Sequence, residues 1–196
     1  MEYSLDIEVQ LVCERILDKG SVLLFGNSED TLKVLKKAYE ELSKNNEFLC
    51  SYIQASEVKE PLDFFTPILK LKFGENYRDR IKSFFELHSK YPDRIGIFHL
   101  TDYCGQESEG KTENERKLPI IFVEGIEELL FKLDFPNGPN KREEGIGNSL
   151  RGGLHQTKKA IFCGNVKNDK SIAYKSTLGN YGYMFYEGNF AIQIIE

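Results

Sequence analysis

The sequence predicts an α/β fold with a largely parallel central sheet and helices on both faces. Two observations carry that prediction. Several short runs are apolar throughout instead of alternating, "SVLLF", "IIFV" and "AIFC" among them, as expected of strands buried on both faces. Between them lie longer stretches whose apolar residues recur at helical spacing, and such alternation of strand and helix builds a sheet with two covered sides.

Each element follows from its residues. "GSVLLFG" (20–26) is a strand ended by glycine, and "SEDTLKVLKKAYEELSK" behind it sets Leu32, Leu35, Tyr39 and Leu42 along one helical face. That helix opens on Ser28, Glu29 and Asp30, which supply a cap and an acidic first turn suited to the positive end of the helix dipole. "FLCSYIQA" (48–55) is a second strand. Within 61–92 the last part places Ile81, Phe84, Phe85 and His88 on one side of a helix, and "RIGIFHLT" (94–101) makes a third strand. An acidic polar loop from Asp102 to Lys117 comes next, before "LPIIFVEGIEELLFKL" (118–133) runs from strand straight into helix. "FPNGPNKREEGIGNSLRGG" is rich in Gly, Pro, Asn and charge, which predicts a long loop with a short helix over "SLRGGLHQ". "KKAIFCGN" (158–165) is a further buried strand, and "YGYMFYEGNFAIQIIE" reads as an aromatic-rich hairpin turning at Glu187, Gly188 and Asn189, its two strands expected to run antiparallel.

Composition limits the classes of function. A chain of 196 residues, 40% of them hydrophobic, can bury one substantial core, so a single domain spanning 1–196 is expected. With 26 basic and 31 acidic residues the net charge is -5, which argues against one large nucleic-acid surface and leaves room for a local basic patch. No apolar tract is long enough for a membrane span and "MEYSLDIEVQ" is acidic where a signal peptide is basic, so a cytoplasmic location, or a nuclear one in a eukaryote, is expected. Cys13, Cys50, Cys104 and Cys163 are dispersed with no C-x-x-C pair, as suits reduced thiols better than zinc or disulfides.

"GQESEGKT" (105–112) matches the phosphate-loop pattern G-x-x-x-x-G-K-[ST] letter for letter. A working phosphate loop runs into a helix of several turns, because the backbone N–H groups of that helix cradle the phosphate. Here only "ENERKL" separates the match from Pro119 and the next strand, and Glu107, Glu109, Glu113 and Glu115 oppose an anion. The stretch therefore reads as a solvated acidic loop. The required strand, glycine turn and long helix occur instead at "SVLLFGNSEDTLKVLKKAYEEL", with Gly26, Asn27, Ser28 and Thr31 at the turn, but "GNSEDTLK" lacks the second glycine and the lysine followed by Ser or Thr. Lys33 lies too far into the helix to replace that lysine.

This order of elements resembles a P-loop ATPase of the RecA or AAA+ type. "KLPIIFVEGIEELL" is similar to the Walker B strand, ending in the carboxylate Glu124 that in such enzymes holds magnesium through water. "KKAIFCGN" is similar to the following strand, with Asn165 at the polar position that reads the γ-phosphate, and "GNFAIQIIE" to the late strand that closes the RecA-like core. Glu124 stands where the family usually has Asp, Walker A is missing, and Arg142 and Arg151 are only candidates for an arginine finger. The resemblance implies a family member that kept the fold and lost the nucleotide, as in recombinase-paralogue or elongator-type subunits that act by assembling with partners. Without a lysine on the β- and γ-phosphates, the developing charge loses several kcal/mol of stabilisation.

Other constellations compete. "IIFVEGIEEL" also resembles the first motif of the Toprim fold, with Glu124 as a magnesium ligand, although "NVKND" supplies only Asp169 where a D-x-D is needed. An acidic first helical turn accounts for Glu124, Glu127 and Glu128 without metal. His88, His99 and His155 show no metal-ligand spacing, and Cys104 or Cys163 paired with a histidine has no sequence support. Lys141, Arg142, Arg151, Lys158 and Lys159 share a segment with four glycines, where they suit contacts to DNA or a neighbouring subunit as well as an ordinary solvated loop. The tyrosines and phenylalanine at Tyr174, Tyr181, Tyr183, Phe185 and Tyr186 read as a packed hairpin. The expectation is thus a non-catalytic subunit that binds a partner protein, in a homo- or hetero-oligomer, and DNA as a further partner, with no cofactor. A weak ATP- and Mg²⁺-dependent NTPase and a Toprim-like magnesium enzyme are the alternatives, with Glu124, Glu127 and Asn165 as their candidate catalytic residues and Glu124 as the metal ligand.

Overall fold

The computed structural model describes residues 5–18, 20–59, 61–88, 112–129, 161–166, 183–187 and 190–195. In chain order these form α1 (Asp6–Leu17), β1 (Ser21–Phe25), α2 (Ser28–Leu42), β2 (Phe48–Gln54), α3 (Pro61–Phe73), α4 (Tyr77–His88), a single helical turn Glu113–Arg116, β3 (Leu118–Glu124), β4 (Ile161–Asn165), β5 (Tyr183–Glu187) and β6 (Phe190–Ile195). The strands make one six-stranded sheet in the order β2-β3-β4-β1-β6-β5. β2, β3, β4 and β1 are parallel neighbours. β6 runs antiparallel to β1, and β5 antiparallel to β6.

The expected α/β sheet flanked by helices is present, and the reason lies in strand alternation. Leu23, Phe25, Leu49, Ile53, Ile121, Val123 and Phe162 point to one face, where Phe64, Phe65, Ile68, Leu69 and Phe73 of α3 and Tyr77 and Ile81 of α4 cover them. Val22, Leu24, Ile120, Phe122, Ile161 and Cys163 point to the other, beneath Val9, Val12 and Ile16 of α1 and Val34, Leu35, Ala38 and Leu42 of α2. Both alternating sets are apolar, so the strands read as continuous hydrophobic runs. A fully buried side chain of this size contributes about 1.5–3 kcal/mol.

Three elements differ from the sequence expectation. α1 was not foreseen, because buried Glu8 interrupts its apolar face of Val9, Val12 and Ile16. The region 61–88 forms two helices instead of one, with Pro67 inside α3. Gly74, at φ 73°, ends α3 and donates its N–H to Lys70 O at 2.8 Å, a left-handed closure that only glycine adopts without strain. On α2 the buried stripe is Thr31, Val34, Leu35, Ala38 and Leu42, which turns Leu32 partly outward. Of the face predicted for α4, Ile81 is buried, while the side chains of Phe84, Phe85 and His88 lie outside the described residues. The strand expected over 94–101, the loop of 102–111 and the segment 135–156 lie outside them too.

Candidate functional site

Parallel register brings the carboxyl ends of four strands into line, three of them polar. Gln54 lies opposite Glu124, Glu124 opposite Asn165, and Asn165 opposite Leu24, two residues before Gly26. The turn Gly26–Asn27 and the first turn of α2 rise from the same end of the sheet. The carboxyl ends of parallel strands are where open α/β sheets hold ligands, and Gly26, Asn27, Ser28, Thr31, Glu124 and Asn165 all belong to this edge. The structure therefore gathers the residues that the sequence nominated from three distant segments.

Asn165 is the centre of the cluster. It is fully buried at the end of β4, where its side-chain oxygen accepts the Gly125 N–H at 2.9 Å and its amide nitrogen reaches Thr31 Oγ1 at 3.4 Å. Thr31 Oγ1 in turn donates to Ser28 O at 3.2 Å. Gly125 has φ 70°, the left-handed conformation that turns the chain out of β3 and into the helical turn 126–129. One carboxamide thus fixes the turn after β3 to the first turn of α2. Glu127, in that helical turn, is buried as well.

The N-terminus of α2 is closed by its own sequence. Asn27, not Ser28, is the cap: its side chain accepts from Glu29 N at 2.9 Å. Glu29 and Asp30 put two carboxylates in the first turn, and Lys33 faces Asp30 across 3.7 Å instead of the turn. A phosphate would have to displace the cap and meet negative charge at the end of the helix where anions otherwise bind.

Glu124 is likewise engaged. Tyr52, from β2, donates its hydroxyl to Glu124 Oε2 at 2.8 Å. Tyr39 of α2 packs edge-on against both Tyr52 and Phe122, with ring centroids 5.5 and 5.4 Å away. Burial, then the hydrogen bond and charge of Glu124, push the Tyr52 phenol well above its ordinary range. A cleft of about 370 Å³ opens beside this pair, lined by Tyr52, Glu57, Lys59, Asp63, Thr66 and Pro67 among others.

No family model, curated protein or solved structure matches this chain. The resemblance to RecA-type ATPases implies ATP and Mg²⁺; at two of the places it would use, the Asn27 side chain accepts the Glu29 N–H and Glu124 accepts the Tyr52 hydroxyl, and among the described residues no group of three or more His, Cys, Asp or Glu is placed to hold a metal ion.

The literal match "GQESEGKT" ends at Thr112, which precedes the single turn Glu113–Arg116 and makes no side-chain capping bond. Glu115 in that turn is buried and paired with Arg80 of α4 at 2.7 Å. Gly105 to Lys111 lie outside the described residues, as do Lys141, Arg142, Arg151, Lys158, Lys159, Cys104, His99, His155 and Asp169. Among the described residues no helix is long and apolar enough to cross a membrane. Sequence reasoning missed Tyr52 and Gly125. The glycine directly after the acidic strand end was a visible turn signal, whereas the Tyr52 contact depends on the register of β2 against β3, which no local pattern encodes.

Proposed function

We propose that this chain is a non-catalytic subunit with a degenerate ATPase fold of the RecA or AAA+ type, 1–196 forming one such domain, and that it works by binding a partner protein. The observation that carries this reading is the Asn165 carboxamide, the group that by the resemblance would read a nucleotide, which instead spans the Gly125 N–H and Thr31 Oγ1. A sensing amide must reach its ligand; this one is fully buried and ties two turns of its own chain together. The capped α2 N-terminus and the occupied Glu124 support the same conclusion. What remains useful is the scaffold and its surface. DNA is a second partner of the proposal, through Lys141, Arg142, Arg151, Lys158 and Lys159, whose basic charge in a glycine-containing segment suits phosphate contacts.

Titration of ATP with Mg²⁺ against the melting temperature tests the reading. No shift is expected. A clear stabilisation that disappears in Glu124→Gln would overturn it in favour of a working NTPase, since only a ligand that binds the folded state raises the melting point. Cleavage of DNA that needs Mg²⁺ and is lost in Glu124→Gln would favour the Toprim-like enzyme. For the partner, purification from the native host is expected to yield a stoichiometric complex, and recovery of a lone monomer counts against it.

A further inference from the structure

Tyr52 and Glu124 come from neighbouring strands. Register sets Tyr52 opposite Phe122 and Gln54 opposite Glu124, so Tyr52 sits one same-face step before the carboxylate and its ring spans that step. The hydroxyl meets Oε2 at 2.8 Å while Tyr39 holds the ring from α2. We infer that Tyr52 is the positioning residue that holds Glu124 to the protein in the place of an outside cation, which leaves the carboxyl edge of the sheet complete without metal or nucleotide.

The physical basis is a charge-assisted hydrogen bond in a half-buried setting. A hydroxyl aimed at a carboxylate is among the stronger neutral donors, and its value rises as water is excluded. With Tyr52 in place, one carboxylate oxygen is tied to β2. The inference rests on the pseudo-ATPase reading and names the residue by which that site is kept closed.

A double-mutant cycle in urea tests it, with wild type, Tyr52→Phe, Glu124→Gln and the double variant, each with and without millimolar magnesium chloride. Each single variant is expected to lower the unfolding midpoint, and the double variant to lower it by less than the sum of the two, because Tyr52→Phe removes the donor of the bond whose acceptor charge Glu124→Gln removes. Magnesium is expected to leave the wild-type midpoint unmoved. Additive losses, or an unchanged midpoint in Tyr52→Phe, would overturn the assignment. Should Tyr52→Phe fail to fold, alkaline titration of tyrosine absorbance in Glu124→Gln decides: one of the ten tyrosines is expected to ionise at lower pH than in wild type, since burial then opposes the phenolate without the added charge of the carboxylate. No change in that titration sinks the idea. Stabilisation of the wild type by ATP with Mg²⁺ would sink the pseudo-ATPase reading itself, whereas additive losses without any nucleotide response remove only the role of Tyr52.

Discussion

Single side chains decide how the carboxyl edge of the sheet is closed, and two of them give measurable expectations. Asn27→Ala removes the acceptor for Glu29 N and is expected to cost about 1 kcal/mol in denaturant unfolding, the usual value of a helix cap. Asn165→Ala strands the buried Gly125 N–H, which alone costs about 1–3 kcal/mol, and leaves a small cavity as well. Thr31→Val, which loses only the long 3.4 Å contact to Asn165 and the bond to Ser28 O, is expected to cost less, about 0.5–1.5 kcal/mol. If Thr31→Val proved the more damaging change, Asn165 would not be the centre of the cluster. At this scale the sequence was legible where chemistry is local. The acidic first turn of Glu29 and Asp30 marks the start of α2, although the cap is Asn27 and not the expected Ser28, and a Glu-Gly pair after an apolar run is a turn. The link from Asn165 to Gly125 spans two strands and could not be read from either one.

Elements repeat the lesson with packing in place of hydrogen bonds. β4 carries Gly164 because the helical turn after β3 lies directly over it: an added Cβ would stand 2.7 Å from Ile126 Cδ1 and 3.0 Å from its Cβ. Gly164→Ala is therefore expected to destabilise the fold by about 1–3 kcal/mol through overpacking, and Ile126→Val, by removing the nearest methyl, to recover part of that loss in the double variant. Additive losses in calorimetry would show that the two residues do not share one contact. β1, β3 and β4 were readable as strands because runs so nearly all apolar admit few other fates, and β2 because its burial alternates along the run. α3 was not readable as a helix, since Pro67 speaks locally against one. Burial of Phe64, Phe65, Ile68 and Leu69 on the sheet outweighs that local cost. α1 was obscured for the opposite reason, a charged residue at a buried position.

For the whole molecule, the thiols set a limit on alkaline stability. Burial raises Cys13 and Cys50 from 9.0 to about 11, and raises fully buried Cys163 further in the same direction. These are acids that the fold keeps protonated. Between about pH 9 and pH 11 the unfolded chain therefore loses protons that the folded chain retains, and stability falls as pH rises through that window. Replacing Cys13 and Cys50 by Ala is expected to flatten the decline in melting temperature over this range relative to wild type, while leaving the behaviour near pH 7 unchanged in its pH dependence. An equally steep decline in the double variant would assign the effect to other groups. The α/β class was legible at this scale because it follows from the mean character of many residues. The strand order was not, because it follows from which distant edges meet.

That order has a consequence for how the molecule comes into being. β1 sits inside the sheet, flanked by β4 and β6, with Val22 opposite Cys163 and Ser21 opposite Ile195. A strand made early in synthesis thus has no neighbour until segments made much later have left the ribosome. Pairings so distant in sequence are slow to close, and during the wait "SVLLF" is an unpaired apolar edge that other chains can capture. Nascent chains stalled before β6 should consequently depend on chaperones, and their release should be followed by a single late gain of protease resistance instead of stepwise compaction.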